Sequence, residues 1–137
     1  MRAVLDTNVL ISGVIATGVP HKLLIKGFER EYQIVVSVET LTEFRETLLK
    51  YPERFQMSEH EVQQEVELVR YYSEFVDPQE DITAVEADPD DDKFLEAAVA
   101  GGVDYLVSGD GHLLDLDSFR GTDIVEPRTF YDRLDVS

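Results

Sequence analysis

Asp6, Glu43, Asp92 and Asp110 are four acids carried by four separate stretches of the chain. Asp6 ends the apolar run Ala3-Val4-Leu5, and Asp110 follows Tyr105-Leu106-Val107 after a Ser108-Gly109 turn. Asp92 falls in the first turn of an apolar-periodic segment, where a helix N-terminus favours an anion. Glu43 is polar among Leu41, Phe44 and Leu48. Each has an ordinary structural reading on its own. Asp6 or Asp92 can cap a helix, with Asp90 and Asp91 available for the same job, and Glu43 can be a solvated helix residue. Together they are harder to attribute to folding, because two carboxylates about 4 Å apart repel by roughly 4 kcal/mol at an effective dielectric of about 20. A cluster of four must be relieved by protons or by cations. The chain has no cysteine, so thiolate ligands are excluded and the oxygen donors suit Mg²⁺ or Mn²⁺.

The elements between these acids decide whether they meet. Ala3–Leu5 reads as a buried strand that breaks at Asp6. Val9–Ile15 is apolar and opens a helix, and Pro20 suits the first turn of another that runs through Leu23, Leu24 and Phe28. Tyr32–Val36 is a second strand. Ser37 is the expected N-cap of a helix reaching about Lys50 and stopping before Pro52. Ser58-Glu59-His60-Glu61 is a capping box that starts a helix carrying Val62, Val66, Val69 and Tyr72. Asp77 to Asp91 is an acidic, Pro-containing connection. A helix from about Asp91 to Ala100 is ended by Gly101-Gly102. Tyr105–Val107 is the third strand, Asp123–Val125 the fourth, and a closing helix starts near Pro127. The alternation predicts an α/β fold, a three-layer α/β/α sandwich with a mainly parallel central sheet, in one domain spanning 1–137. Ligands of such sheets sit beyond the carboxyl ends of the strands, the edge where Asp6 and Asp110 fall.

Composition limits the partners. Twelve Lys and Arg against 29 Asp and Glu give a formal charge of -17, whereas nucleic-acid affinity normally comes from basic residues displacing counterions. Only four of the bases are Lys. Such an acidic, lysine-poor surface resembles those of halophilic organisms, in which salt screens self-repulsion; a cationic or basic partner is the competing explanation. Lys22, Lys26 and Arg30, four apart with His21 beside them, would stripe one helix face, either as solvated surface or as phosphate contacts. His112 reads as a turn residue. No stretch approaches the roughly 20 apolar residues of a membrane span, and the expected location is cytoplasmic.

Three stretches resemble the PIN-domain ribonuclease family: Val4-Leu5-Asp6-Thr7-Asn8-Val9-Leu10, Asp88-Pro89-Asp90-Asp91-Asp92-Lys93-Phe94-Leu95-Glu96-Ala97-Ala98, and Asp104-Tyr105-Leu106-Val107-Ser108-Gly109-Asp110. Glu43 falls where that family's second acid is expected, and Ile124 to Phe130 is similar to the end of a bacterial and archaeal subgroup containing VapC-like toxins. The resemblance implies a single PIN-like nuclease domain, a metal-dependent endoribonuclease hydrolysing RNA. Asp6, Glu43, Asp92 and Asp110 would be its metal ligands, with Asp92 chosen over Asp90 and Asp91 by register. Asn8 would orient Asp6, while Thr7 and Ser108 either hydrogen-bond to acids or substrate or simply hold turns. It further implies Mg²⁺ or Mn²⁺, an RNA substrate, an antitoxin protein if the chain is the toxin of a toxin–antitoxin pair, and a homodimer.

Other readings are weaker. A haloacid-dehalogenase-like phosphatase would need a proton-shuttling acid where Asn8 stands. A receiver domain would need an acceptor Asp where Ser37 follows the second strand. A PIN fold that binds RNA, or joins a larger complex, without cleaving is the non-enzymatic alternative.

Overall fold

A computed structural model describes residues 1–135. The chain runs β1 (Arg2–Leu5), α1 (Thr7–Ile15), α2 (Val19–Phe28), β2 (Gln33–Val36), α3 (Val38–Lys50), the single turn α4 (Pro52–Phe55), α5 (Glu59–Tyr72) and β3 (Ser73–Phe75). After a long connection come a 3-10 turn (Pro89–Asp91), α6 (Asp92–Gly101), β4 (Tyr105–Val107), α7 (Gly111–Leu114), β5 (Ser118–Phe119), β6 (Thr122–Val125) and α8 (Pro127–Asp135). The helix boundaries follow local chemistry. Ser37 and Ser58 each cap a helix through reciprocal side-chain bonds, with Thr40 and Glu61 as their N3 partners. Gly102 ends α6 at φ 55°, a left-handed conformation that costs glycine little.

The strands form one sheet in the order β3-β2-β1-β4-β6-β5, parallel except for the β5–β6 pair. Alternation along the strands divides the core in two. Ala3, Leu5, Ile34, Val36 and Val107 pack with α1, α2, α3, α5 and α8, around Phe44 and Phe130. Val4, Val35, Leu106 and Ile124 face α6, Leu113 of α7, and Ile82 and Val85 of the connection. Both faces of the sheet are thus covered, as a parallel sheet requires, and the three-layer α/β/α arrangement is the one the sequence predicts. No single helix among the described residues is long and apolar enough to cross a membrane.

The sheet has six strands where the sequence suggests four. β3 is three residues, Ser-Glu-Phe, entered directly from α5, and β5 is two residues. Neither is long enough to show an alternation of its own, and both are edge strands held by one neighbour.

Candidate metal centre

Parallel pairing of β1 with β4, Leu5 opposite Val107, brings two acids to one rim. Asp6 leaves β1 and caps α1, its Oδ1 accepting from the Val9 N–H at 2.9 Å. Its Oδ2 accepts from the Ser108 hydroxyl, and the same Ser108 oxygen accepts from the Asp110 N–H at 2.9 Å. Ser108 is fully buried, so it acts as a fixed post between the two acids. Asp110 caps α7, accepting from the His112 N–H at 2.8 Å; the His112 side chain is exposed. The bonds that orient Asp6 therefore come from Val9 and Ser108. Asn8, expected in that role, is exposed and lines the groove in front of the acids.

Asp92, the expected third acid, is engaged away from the rim acids. Asp92 Oδ1 accepts from the Ala84 and Val85 N–H groups at 3.0 and 2.9 Å. One turn along, Glu96 accepts from the Ile82 N–H at 2.9 Å, so both side chains clasp the long connection. It is Asp91 that reaches the rim. Asp88, Asp91 and Asp110 each offer a carboxylate oxygen, and these oxygens all lie within 4.8 Å of one another. The 3-10 turn already holds Asp91 in helical geometry, φ -73° and ψ -18°, which starts the helical rotation one residue early. The signal was present: Phe94, Leu95 and Ala98, all buried, lie three, four and seven residues after Asp91, on its own helical face.

Glu43 comes to the same place from α3. Its Oε1 accepts from the Thr7 hydroxyl at 2.6 Å, and its Oε2 is ion-paired with Lys93. An open groove of about 670 Å³ runs over these groups, lined by Glu39, Glu43, Glu46, Asp88, Asp90, Asp91 and Asp110, with Lys50 and Lys93 as its two cations. The structure thus gathers Asp6, Glu43 and Asp110 as expected, adds Asp88, Asp91 and Lys93, and turns Asp92 away. The basic stripe lies elsewhere. Lys22 and Lys26 sit over the Tyr131 ring, and Arg30, beyond the end of α2, sits over Tyr72 in the loop feeding the amino end of β2.

Charge is crowded here. Burial pushes the Asp6 carboxyl above its usual range, against the bonds from Ser108 and Val9 and with help from Asp110 and Glu43. Burial first, then a proton shared with Asp110, and the charges of Asp110, Asp88 and Asp6, push Asp91 up to about 8. That shared proton holds Asp110 below the ordinary carboxylate range. Oδ2 of Asp91 is buried and receives no hydrogen bond. A buried, donorless carboxylate oxygen beside two further acids is the environment a hard divalent cation relieves, and the all-oxygen donor set fits Mg²⁺ or Mn²⁺.

A search of curated proteins finds no match. The family model described as PIN domain matches residues 2–112, well over half of the chain and inclusive of every acid in the groove. With β1 to β4 and the acid cluster at their rim falling inside that match, the chain belongs to the PIN-domain family.

Proposed function

We propose that this chain is a divalent-metal-dependent endoribonuclease that hydrolyses RNA in the acidic groove. The observation that carries the reading is the buried, donorless Oδ2 of Asp91 set against Asp110 and Asp88. Folding gains nothing from that arrangement, and PIN domains are in general metal-dependent nucleases acting on RNA. Asp88, Asp91 and Asp110 are the residues placed to hold Mg²⁺ or Mn²⁺, with Asp6 adding negative charge from behind. When bound, the metal supplies Lewis-acid polarisation of a phosphoryl oxygen and activation of a water. Ser108 and the Val9 N–H keep Asp6 in one orientation, so the charge meeting the cation needs no rearrangement. Thr7 does the same for Glu43. Lys93, paired with Glu43, and Lys50 are the cations available to an incoming phosphate.

The test is cleavage of a mixed panel of labelled RNAs with Mn²⁺, Mg²⁺ or chelator, wild type beside Asp91→Asn. Metal-dependent cutting that disappears in the variant is expected; cutting that survives it overturns the assignment of Asp91. RNA binding without cutting under every condition would leave the non-catalytic PIN reading in its place. The proposal extends to a homodimeric toxin restrained by an antitoxin protein. Its check is growth arrest on expression, absent in Asp91→Asn and relieved by the product of a neighbouring gene.

A further inference from the structure

Helix α3 presents two faces at the rim. Glu39, Glu43, Glu46 and Lys50 line the acidic groove, whereas Leu41 and Arg45 line a second groove of about 310 Å³ together with Arg70 of α5 and Phe75 at the end of β3. Val38 and Thr42 border both, so one groove opens into the other. The floor of the second groove is formed by buried Leu41 and Val66, and two of its apolar groups are uncovered: Val38 is 64% exposed and Phe75 43%. Phe75 pairs with Val36 in parallel register, which sets it on the same rim as Asp6. It lies two strands from β1, about 10 Å at the usual spacing of about 4.8 Å.

The cations are distributed unevenly. Of twelve Lys and Arg in the chain, four lie along these two joined grooves: Lys50 and Lys93 in the acidic one, Arg45 and Arg70 in the second. Arg45 makes no ion pair among the described residues. Among the described residues Arg70 is ion-paired with Glu67, at 3.8 Å with both side chains largely exposed, a contact of little energetic weight. An exposed aromatic ring in a groove with one unpaired and one weakly paired guanidinium group is a combination that can hold single-stranded nucleic acid, the ring stacking a base and the arginines meeting phosphate.

We propose that the groove between α3, α5 and β3 is a nucleobase subsite. In it an unpaired base of the RNA strand stacks on Phe75 beside Val38, and Arg45 and Arg70 contact the phosphates that lead to the acidic groove. The inference rests on the ribonuclease reading and adds to it a base-binding position beside the acidic groove. A duplex does not offer a free base face to the ring.

The experiment uses labelled oligouridylates, with Kd measured in Ca²⁺ and steady-state cleavage in Mn²⁺. Phe75→Leu, which keeps apolar bulk but loses the ring, and the double variant Arg45→Gln/Arg70→Gln should each raise KM and Kd about tenfold. In both, kcat should stay within about twofold of wild type. Phe75→Tyr should behave as wild type, and a dinucleotide too short to span both grooves should be cut equally by all. If wild type cuts but both variants keep its KM and Kd, the subsite is overturned while the nuclease reading stands, and a protein partner becomes the candidate for this face. If wild type binds without cutting and Phe75→Leu binds weakly, the subsite stands and the catalytic reading falls. If wild type neither binds nor cuts, both fall. Should Phe75→Leu fold poorly by circular dichroism, the exposed arginine pair still decides the matter.

Discussion

Asp91 and Asp92 are neighbours of one residue type, both buried, and their surroundings give them opposite tasks. Asp92 and Glu96 clasp the connection between β3 and α6, with three backbone N–H groups, those of Ile82, Ala84 and Val85, directed at their oxygens. Asp91 faces Asp88 and Asp110 with one oxygen that no donor reaches. A buried carboxylate surrounded by donors stabilises the fold, because charge-assisted bonds offset its lost hydration. A buried carboxylate surrounded by other carboxylates does the reverse unless a proton or a cation is shared among them. Helical rotation of about 100° per residue separates the two environments.

The comparison is broken most directly by exchanging the losses. Asp91→Asn should lower cleavage by about a thousandfold, the order expected when metal-assisted charge stabilisation worth several kcal/mol is removed. The metal-free melting temperature of that variant should be equal to or above that of wild type. Asp92→Ala should do the opposite. It strips donor-to-charge bonds from two backbone groups and costs about 2–4 kcal/mol, a fall of about 10 °C in melting temperature for a domain of this size. The molecules that remain folded should still cut. Thermal melts and single-turnover cleavage on the same preparations measure both effects. An Asp92→Ala protein of normal stability and no activity would return the third acid to Asp92.

How much of this could be read from the chain is shown by the same pair. The strand ends at Leu5 and Val107, and so the meeting of Asp6 with Asp110, followed from two apolar runs, one stopping at an acid and the other at a Ser108-Gly109 turn that leads to one. The caps at Ser37 and Ser58 followed from local side-chain chemistry. In a run of three aspartates the choice depends on where helical rotation begins, and a 3-10 turn ahead of α6 moves that point. Asp92 is also taken up by N–H groups seven and eight residues earlier in an irregular segment, whose path no periodicity predicts. Asp88 and Lys93 were missed for related reasons, since the first enters through loop geometry and the second through a pairing with Glu43 fifty residues away. The short edge strand β3, and with it the position of Phe75, had no pattern long enough to detect.

The contrast should also be visible in pH dependence. Asp91 is pushed up to about 8 in the folded chain, chiefly by burial, against an ordinary aspartate value near 3.9 when unfolded. An acid whose folded pKa is raised favours folding while protonated. Its contribution is present in full below about pH 4 and is lost as pH rises through about 8. The metal-free melting temperature should therefore fall across that interval. Saturating Mg²⁺ should offset the fall, because the cation replaces the shared proton, and apparent metal affinity should rise with pH toward 8. Asp91→Asn should flatten both trends. A metal-free profile that rises over the same interval would place the charge cost elsewhere.

The smallest effect separates this local demand for a cation from the diffuse one. With a formal charge of -17, monovalent salt should raise the melting temperature by a few degrees between about 0.1 M and molar KCl, as screening weakens repulsion over the whole surface. That shift should be the same in wild type and Asp91→Asn, because it belongs to no single site. Millimolar Mg²⁺ at constant ionic strength should shift the wild type alone. Equal responses of both proteins to Mg²⁺ would mean that the acids of the groove are screened like any exposed carboxylates, and the distinction between Asp91 and Asp92 would shrink to hydrogen bonding. Equal melting in dilute buffer and molar KCl would remove the halophilic reading of the surface and leave the acid groove as the one place where this chain's charge needs a counterion.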